Sequence, residues 1–496
     1  MTPSTQQWND HPNIFEINTW VWLNELSTKF DEEITLNNVP EEKFENFLRY
    51  FDAIWLMGVW DRSPESRNIA KTHEGLQKEF HTALDDYTED DVIGSPYAVY
   101  YYHADSRLGG KDGLKRFRKK LNMRDIKLIL DYIPNHVSRD HLWTLEKSNI
   151  FIEGTKEDLE QAPNEYFEEG RRILAHGKDP YFPPWTDTVQ INAFSQDARQ
   201  KAVKALLLIA DQCDAVRCDM AMLMTNEVFS KTWGEKAGSP PEKEYWEYVI
   251  PRVKEKYPDF KFIGEVYWDM EWKLMQQGFD FCYDKRLYDR IMDKNVTGIK
   301  QHLTADFTYQ EKLLRFIENH DEPRILDKMD IEPSLTATCL ILTLPGMGLI
   351  HEGQMKGYKR RVPVQLKRRE KEEVDFELVE SYRNILNIIS EENIKEGKWE
   401  LCDTLPENNE LESSSLITYH WWNEEANNFL VVINLLEEKL KANIRVPSLN
   451  ISSDAVVFSG MFNKESRRYT TTTVKKSGLD VELDGWGKEI FKIKPG

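Results

Sequence analysis

The sequence predicts an α/β protein built on a closed (β/α)8 barrel, a TIM barrel, with an inserted loop-rich B segment after the third strand and a C-terminal antiparallel β-sandwich. Three observations predict it. Short apolar runs recur from residue 14 onward with amphipathic helical stretches between them, the pattern of parallel strands buried on both faces. One interval, between the third and fourth runs, is too long for a simple crossover and rich in loop residues. Near Gly397 the patterning changes to period two, which reads as short antiparallel strands. The expected domains are therefore residues 1–136 and 191–396 for the barrel, 137–190 for the insertion and 397–496 for the sandwich.

The strands are expected at Ile14–Leu23, Ala53–Trp60, Lys127–Tyr132, Ala215–Asp219, Lys261–Glu265, Phe279–Tyr283, Leu313–Ile317 and Met347–His351. Strand–helix units in unbroken succession favour a closed barrel over an open doubly wound sheet. No G-x-G-x-x-G or phosphate loop follows any strand, which weakens a nucleotide-binding alternative. Between strands, Ser195–Gln212 reads as a helix with a Ser cap, an early Asp and one apolar face. Lys111–Leu121 reads as a basic outer helix. In the insertion, Trp143, Tyr166, Phe167, Tyr181, Phe182 and Trp185 suit either a small core or a platform over the barrel mouth. The sandwich strands are expected at Leu416–Trp422, Phe429–Leu436, Lys441–Val446, Ala455–Ser459, Tyr469–Val474 and Ile490–Ile493, with a turn at Asn423–Asn428.

Bulk properties narrow the function. A chain of 496 residues with net charge −20 is a poor partner for nucleic acid or an anionic membrane, whereas a neutral substrate fits. Its 15 Trp suit either a large aromatic core or the flat faces of sugar rings. Five scattered cysteines with no C-x-x-C argue against a disulfide framework or a zinc site. The N-terminus lacks a basic region followed by an apolar one, and no run is long enough to span a membrane; a cytoplasmic location is expected.

Charge placement points to chemistry. The stretch D-A-V-R-C-D-M (214–220) puts Arg217 and Asp219 two residues apart at a strand end. Alone, the pair reads equally as a structural ion pair. Other predicted strands, however, also end in polar groups: Asp131 with Asn135 and His136, then Glu265, then Asn319-His320-Asp321. In a (β/α)8 barrel the carboxyl ends of the strands share one rim, where active sites form. Three carboxylates there suit a retaining glycosidase. Asp219, beside its arginine, would stay ionised as the nucleophile; Glu265, with no such partner in its own strand, would be the general acid/base. Asp321 and His320 would hold sugar hydroxyls as the ring flattens.

These segments resemble the signature regions of the α-amylase family, glycoside hydrolase family 13. D-Y-I-P-N-H (131–136), V-R-C-D (216–219), G-E-V-Y (264–267) and E-N-H-D (318–321) are similar to its four regions in order. I-W-L-M-G-V-W (54–60), G-S-P-Y-A-V (94–99) and Q-I-N (190–192) resemble its second strand, the loop after it and the close of its inserted domain. The resemblance covers residues 14 to about 490. It implies Asp219 as nucleophile, Glu265 as acid/base and Asp321 as transition-state stabiliser. It further implies that Arg217 orients Asp219, that His136 and His320 bind the sugar at the cleavage site, and that Tyr97 stacks on it. Asn135 matches a position that binds calcium in many members, and would either hold calcium or only brace the loop; no full ligand set accompanies it, so no cofactor is expected and calcium stays open.

Met222 and Leu223 stand where starch-degrading members often carry Lys and His, and R-C-D-M-A-M with H-E-G-Q (351–354) looks like a less-described branch of the family. Tyr267 and Trp268 could stack on an acceptor sugar, and H-E-G-Q reads as a rim loop. The resemblance implies hydrolysis of α-glucosidic, chiefly α-1,4, bonds in gluco-oligosaccharides. A transglycosylase sharing the glycosyl-enzyme intermediate is the first alternative, and a non-catalytic sugar-binding relative a remote one.

Overall fold

One polar residue decides where the first barrel strand stops. The apolar run Ile14–Leu23 is not a single strand: strand β1 is Asn13–Asn18, and helix α1, Thr19–Phe30, follows at once. The Asn18 side chain accepts from the Val21 N–H at 3.5 Å, capping the helix inside what reads as a continuous apolar stretch. The computed structural model describes residues 7–146, 149–405, 415–423, 428–449 and 453–496. Seven further barrel strands follow: β2 (Ala53–Met57), β3 (Lys127–Tyr132), β4 (Ala215–Cys218), β5 (Lys261–Gly264), β6 (Phe281–Tyr283), β7 (Leu313–Arg315) and β8 (Met347–His351). They close in the order β1-β8-β7-β6-β5-β4-β3-β2, the barrel expected from the sequence.

By compactness the chain divides into two units. The first comprises residues 1–9, 14–283 and 360–372; the second comprises residues 10–13, 284–359 and 373–496.

In the first unit, helix α2 (Gln196–Ala210) begins as expected, with the Ser195 hydroxyl accepting from the Ala198 N–H. Residues 137–190 are more ordered than their loop-rich composition suggests. His136–Ser138 pairs antiparallel with Thr188–Gln190, and Tyr166–Glu169 forms a hairpin with Arg172–Ala175. Val137, Phe151, Phe167, Leu174, Val189 and Ile191 bury a small core there. The aromatics of this region thus divide: Tyr166 and Phe167 are buried, whereas Tyr181 and Phe182 are exposed. The returning segment 360–372 docks beside the loop preceding Tyr97. Buried Arg62 ties the two together, donating from Nη1 to the carbonyls of Gly94 (2.6 Å) and Val364 (2.7 Å).

In the second unit, helix α3 (Ile331–Thr343) is buried almost all round, and helix α4 (Phe376–Glu392) is amphipathic. Beyond it, β9 (Lys398–Leu401), β10 (Asp403–Leu405), β11 (Ile417–Trp422), β12 (Asn428–Ile433), β13 (Leu440–Arg445), β14 (Ala455–Gly460), β15 (Ser466–Thr470), β16 (Leu479–Leu483) and β17 (Lys488–Pro495) form two antiparallel sheets, β9-β11-β12-β17-β14-β15 and β10-β13-β16. Leu430, Val432, Ala442, Ile444, Phe458 and Val481 belong to one core shared by the two sheets, as in a sandwich. The strand expected at Tyr469–Val474 ends at Thr470, where a helix, α5 (Thr471–Ser477), begins. Threonines favour strands, but Thr470 also caps, its hydroxyl accepting from the Thr473 N–H at 3.2 Å. The turn expected at Asn423–Asn428 falls on residues 424–427, which lie outside the described residues. Among the described residues, no helix is long and apolar enough to cross a membrane.

Candidate active site

Parallel register assembles the first part of the site. On β3 and β4, Arg217 lies opposite Asp131, and on β4 and β5, Cys218 lies opposite Gly264. The ladder continues one residue past each strand: Asp219 N–H donates to Tyr132 O and Glu265 N–H to Cys218 O. Asp219 and Glu265 therefore leave adjacent strand ends side by side. Both are buried, and Arg217 is buried between them.

Arg217 serves more than one carboxylate. Its Nη1 lies 2.8 Å from Asp219 Oδ1 and 3.6 Å from Asp131 Oδ1, and its Nη2 lies 2.6 Å from Glu265 Oε2. Its Nε reaches the Tyr283 hydroxyl at 3.4 Å. Sequence reasoning assigned Arg217 to Asp219 alone because it considered one strand at a time; the register of neighbouring strands carried the missing signal. Burial would lower the arginine's pKa, but Glu265 and then Tyr283, Tyr97 and Asp219 outweigh it and hold the guanidinium firmly charged. Among the described residues of this unit, one cation thus anchors three acidic side chains that burial alone would expel.

Glu265 is held at both oxygens. Oε2 also accepts from the Met220 N–H at 2.7 Å, and Oε1 accepts from the Tyr267 hydroxyl at 2.8 Å. Met220 can offer its amide because it adopts a left-handed backbone (φ 41°, ψ 48°), an uncommon conformation for a residue with a side chain. The Tyr267 contact is a second feature that sequence reasoning missed. Besides the ring expected to stack, Tyr267 thus has a partner for its hydroxyl.

Tyr97 and His136 join this group. The Tyr97 ring lies 5.3 Å from the Arg217 guanidinium carbon. His136 is buried, hydrogen-bonds the Tyr97 backbone and packs against Trp185 at 5.1 Å between ring centroids. Burial lowers its pKa to about 4, so its imidazole is neutral at neutral pH.

His320 and Asp321 follow β7 in the second unit. His320 Nε2 lies 3.0 Å from Asp321 Oδ2, and the Asp321 side chain is 43% exposed, in contrast to Asp219 and Glu265. The Asn319 side chain accepts from the N–H groups of Asp321 and Glu322, fixing the turn. Behind it, buried Glu318 accepts from Arg324 at 2.5 Å, His351 at 2.9 Å and the Ile325 N–H at 2.7 Å. Burial raises the Glu318 pKa, but the Arg324 charge and the His351 contact bring it below the ordinary range. H-E-G-Q is thus an internal brace as well as a loop: His351 holds Glu318, and the Gln354 side chain binds both the His351 N–H and the Tyr382 hydroxyl.

The alpha-amylase catalytic-domain model matches residues 51–398. The chain belongs to the α-amylase family. It is 24% identical to Alpha-amylase 3 of Dictyoglomus thermophilum over 53% of this chain and 54% of that protein. It is 22% identical to the maltogenic alpha-amylase of Bacillus acidopullulyticus over 74% of this chain and 61% of that protein. The chain thus spans about half to three fifths of the length of these relatives. Among solved structures, an alpha-amylase from Geobacillus thermoleovorans in complex with acarbose has a TM-score of 0.67 at 16% identity, covering 99% of both chains. A debranching enzyme from Nostoc punctiforme, soaked with acarbose, has a TM-score of 0.64 at 17% identity and likewise covers 99% of both chains.

Within this α-amylase-family chain, Asn135 is committed to the protein itself. Its side chain and that of Gln190 form a closed pair, Nδ2 to Oε1 at 3.2 Å and Nε2 to Oδ1 at 2.9 Å. Among the described residues there is no group of three or more His, Cys, Asp or Glu that could hold a metal ion. The departures Met222 and Leu223 are buried in the 3-10 turn Ala221–Met224, adding apolar packing behind the nucleophile candidate. Trp268 is exposed, meets Tyr181 edge-to-face at 5.0 Å and has a left-handed backbone (φ 64°), as does Asp269. Cys218, between Arg217 and Asp219, is fully buried, and burial drives its thiol pKa well up.

Proposed function

We propose that the chain is a retaining glycosidase that cleaves α-glucosidic bonds, chiefly α-1,4, in gluco-oligosaccharides. It would comprise a barrel at 1–136 and 191–396, an inserted domain at 137–190 and a sandwich at 397–496. The observation that carries this reading is the single buried guanidinium shared by Asp219 and Glu265. It supports one carboxylate as a permanent anion and keeps its neighbour close enough to act on the leaving oxygen.

In the first half-reaction Asp219 attacks the anomeric carbon, and the bond to the leaving oxygen breaks as that oxygen takes a proton from Glu265. In the second, Glu265 removes a proton from water, whose oxygen displaces Asp219 from the same carbon. His320 and Asp321 would hold sugar hydroxyls as charge develops. Neutral His136 can donate or accept a hydrogen bond, and Tyr97 offers its ring face.

The maltogenic and debranching activities named for relatives and neighbours support α-glucan chemistry. A second reading, transfer to a sugar acceptor, is favoured by the exposed Trp268–Tyr181 pair beginning three residues beyond Glu265. Proton NMR of the product first released from maltotetraose tests the mechanism: the α-anomer is expected, and initial β-anomer would overturn retention. Chromatography with excess glucose separates the two outcomes, since new longer or mixed-linkage products would mark transfer.

A further inference from the structure

We propose that Tyr267 is a positioning residue that sets the protonation of Glu265 during turnover. The inference rests on Glu265 being the acid/base, and it begins with where a proton can sit on that carboxyl group. Oε2 accepts from the Arg217 guanidinium at 2.6 Å and from the Met220 amide at 2.7 Å. Neither group can accept a hydrogen bond in return. A proton on Oε2 would face two donors, so the transferable proton belongs on Oε1. There the partner is the Tyr267 hydroxyl, at 2.8 Å, and a hydroxyl can either donate or accept.

The two half-reactions then make opposite demands on one rotor. With Glu265 protonated, Oε1 carries the hydrogen and the Tyr267 O–H turns away. As the proton passes to the leaving oxygen and the glycosidic bond breaks, Oε1 gains charge and the Tyr267 O–H swings in to donate. When Glu265 later takes a proton from water, the hydroxyl releases it. A donor to the ionised form lowers a carboxyl pKa, so Tyr267 makes Glu265 a stronger acid than its burial would leave it.

The groups facing Glu265 in this unit come from several elements. Arg217 and Asp219 come from the end of β4, and Tyr283 from β6, where its hydroxyl meets Arg217 Nε. Asp131, from β3, and the Tyr97 ring reach the same guanidinium. To these Tyr267 adds a neutral hydroxyl on a half-buried side chain, which can be altered without changing the charge of the site.

The test is the pH dependence of kcat/KM, whose basic limb reports the essential acid of the free enzyme. The full chain would be assayed on maltotetraose and 4-nitrophenyl α-glucoside as Tyr267→Phe and with 3-fluorotyrosine at position 267. Loss of the donor in Tyr267→Phe is expected to raise the basic limb by about one pH unit, the acid limb staying in place. The fluorinated phenol is a stronger donor and should lower the limb; it keeps the hydroxyl and the fold, so it decides the matter if the Phe variant does not fold. A limb unmoved in both overturns the proposal, even if the rate falls, because a purely structural role would reduce rate without moving it. Glu265→Gln run alongside separates the two readings. Loss of the basic limb there with no shift in the tyrosine variants defeats the Tyr267 role alone, whereas a basic limb that survives in Glu265→Gln defeats the acid/base assignment itself.

Discussion

The ends of β4 and β5 and the end of β7 hold acidic residues by opposite means. Asp219 and Glu265 are buried and share a buried arginine, with the Met220 amide and the Tyr267 hydroxyl completing the grip on Glu265. Asp321 is left 43% exposed, its turn held by Asn319, while the buried carboxylate of that region, Glu318, faces away into Arg324 and His351. The difference teaches that two kinds of acid are being built. In the proposed mechanism, the groups that would exchange protons or form bonds are the ones fixed in low dielectric, where small changes in charge matter most. Asp321, which in that mechanism would grip hydroxyls, stays near water and is positioned by the turn that Asn319 holds.

The largest effect should come from breaking the shared cation. Arg217→Met leaves Asp219 and Glu265 buried without their counter-charge, a loss of about 3–5 kcal/mol by analogy with broken buried pairs. Turnover is expected to drop by about a thousandfold or more, as when preorganised charge is removed. Chemical denaturation and steady-state rates on maltotetraose measure both. Next, Glu318→Gln keeps the shape of the brace but removes its charge opposite Arg324 and His351. A loss of about 2 kcal/mol in stability and about tenfold in kcat is expected, with the binding of substrate little changed. An unaltered kcat would mean that the β7 loop does not depend on this clamp.

Acid should separate the same two regions. His136, His141 and His176 of the first unit all have pKa values lowered by burial to about 4. Their stabilisation is fully present above the unfolded value near 6.5 and is lost as pH falls from there toward 4, because only the unfolded chain then takes up the protons. At pH 5 this amounts to about 1–2 kcal/mol for each histidine. Glu318 is also shifted down, but from a lower starting value: its contribution persists above the unfolded carboxyl value near 4.5 and fades only as pH falls through its lower folded value. Amide exchange followed at pH 7, 5.5 and 4.5 should therefore show residues 136–190 loosening before residues 318–325. The smallest effect is expected from Trp268→Ala, about a twofold to fivefold fall in the ratio of transfer to hydrolysis under excess glucose, with melting unchanged.

The barrel was legible because its strands are apolar runs spaced by helices, and β4 and β5 are each followed at once by an acid, Asp219 and Glu265. Two of the boundaries that were not share one reason. Asn18 and Thr470 each cap a helix inside a run that looks like strand, and a single side-chain hydrogen bond outweighs the local pattern. The residues expected around the nucleophile, Tyr97, His136, Arg217 and Glu265, do gather in the first unit. What the sequence could not display was the sharing of Arg217 among Asp131, Asp219 and Glu265, which depends on register between strands far apart in the chain. The reach of Tyr267 to Glu265 was equally hidden, since residues two apart meet only when the loop curls back.

Cys218 gives the site an unexpected practical character. It sits between the cationic anchor and the proposed nucleophile, yet its thiol is fully buried and burial disfavours the reactive thiolate. The other cysteines, Cys213, Cys282, Cys339 and Cys402, are buried as well. Electrophiles aimed at sulfur, such as iodoacetamide, should therefore leave catalysis untouched while the chain is folded. Covalent inhibitors of the folded protein would have to target groups other than its thiols, and a thiol-directed fluorophore would need a newly introduced surface cysteine, against which the native thiols stay silent.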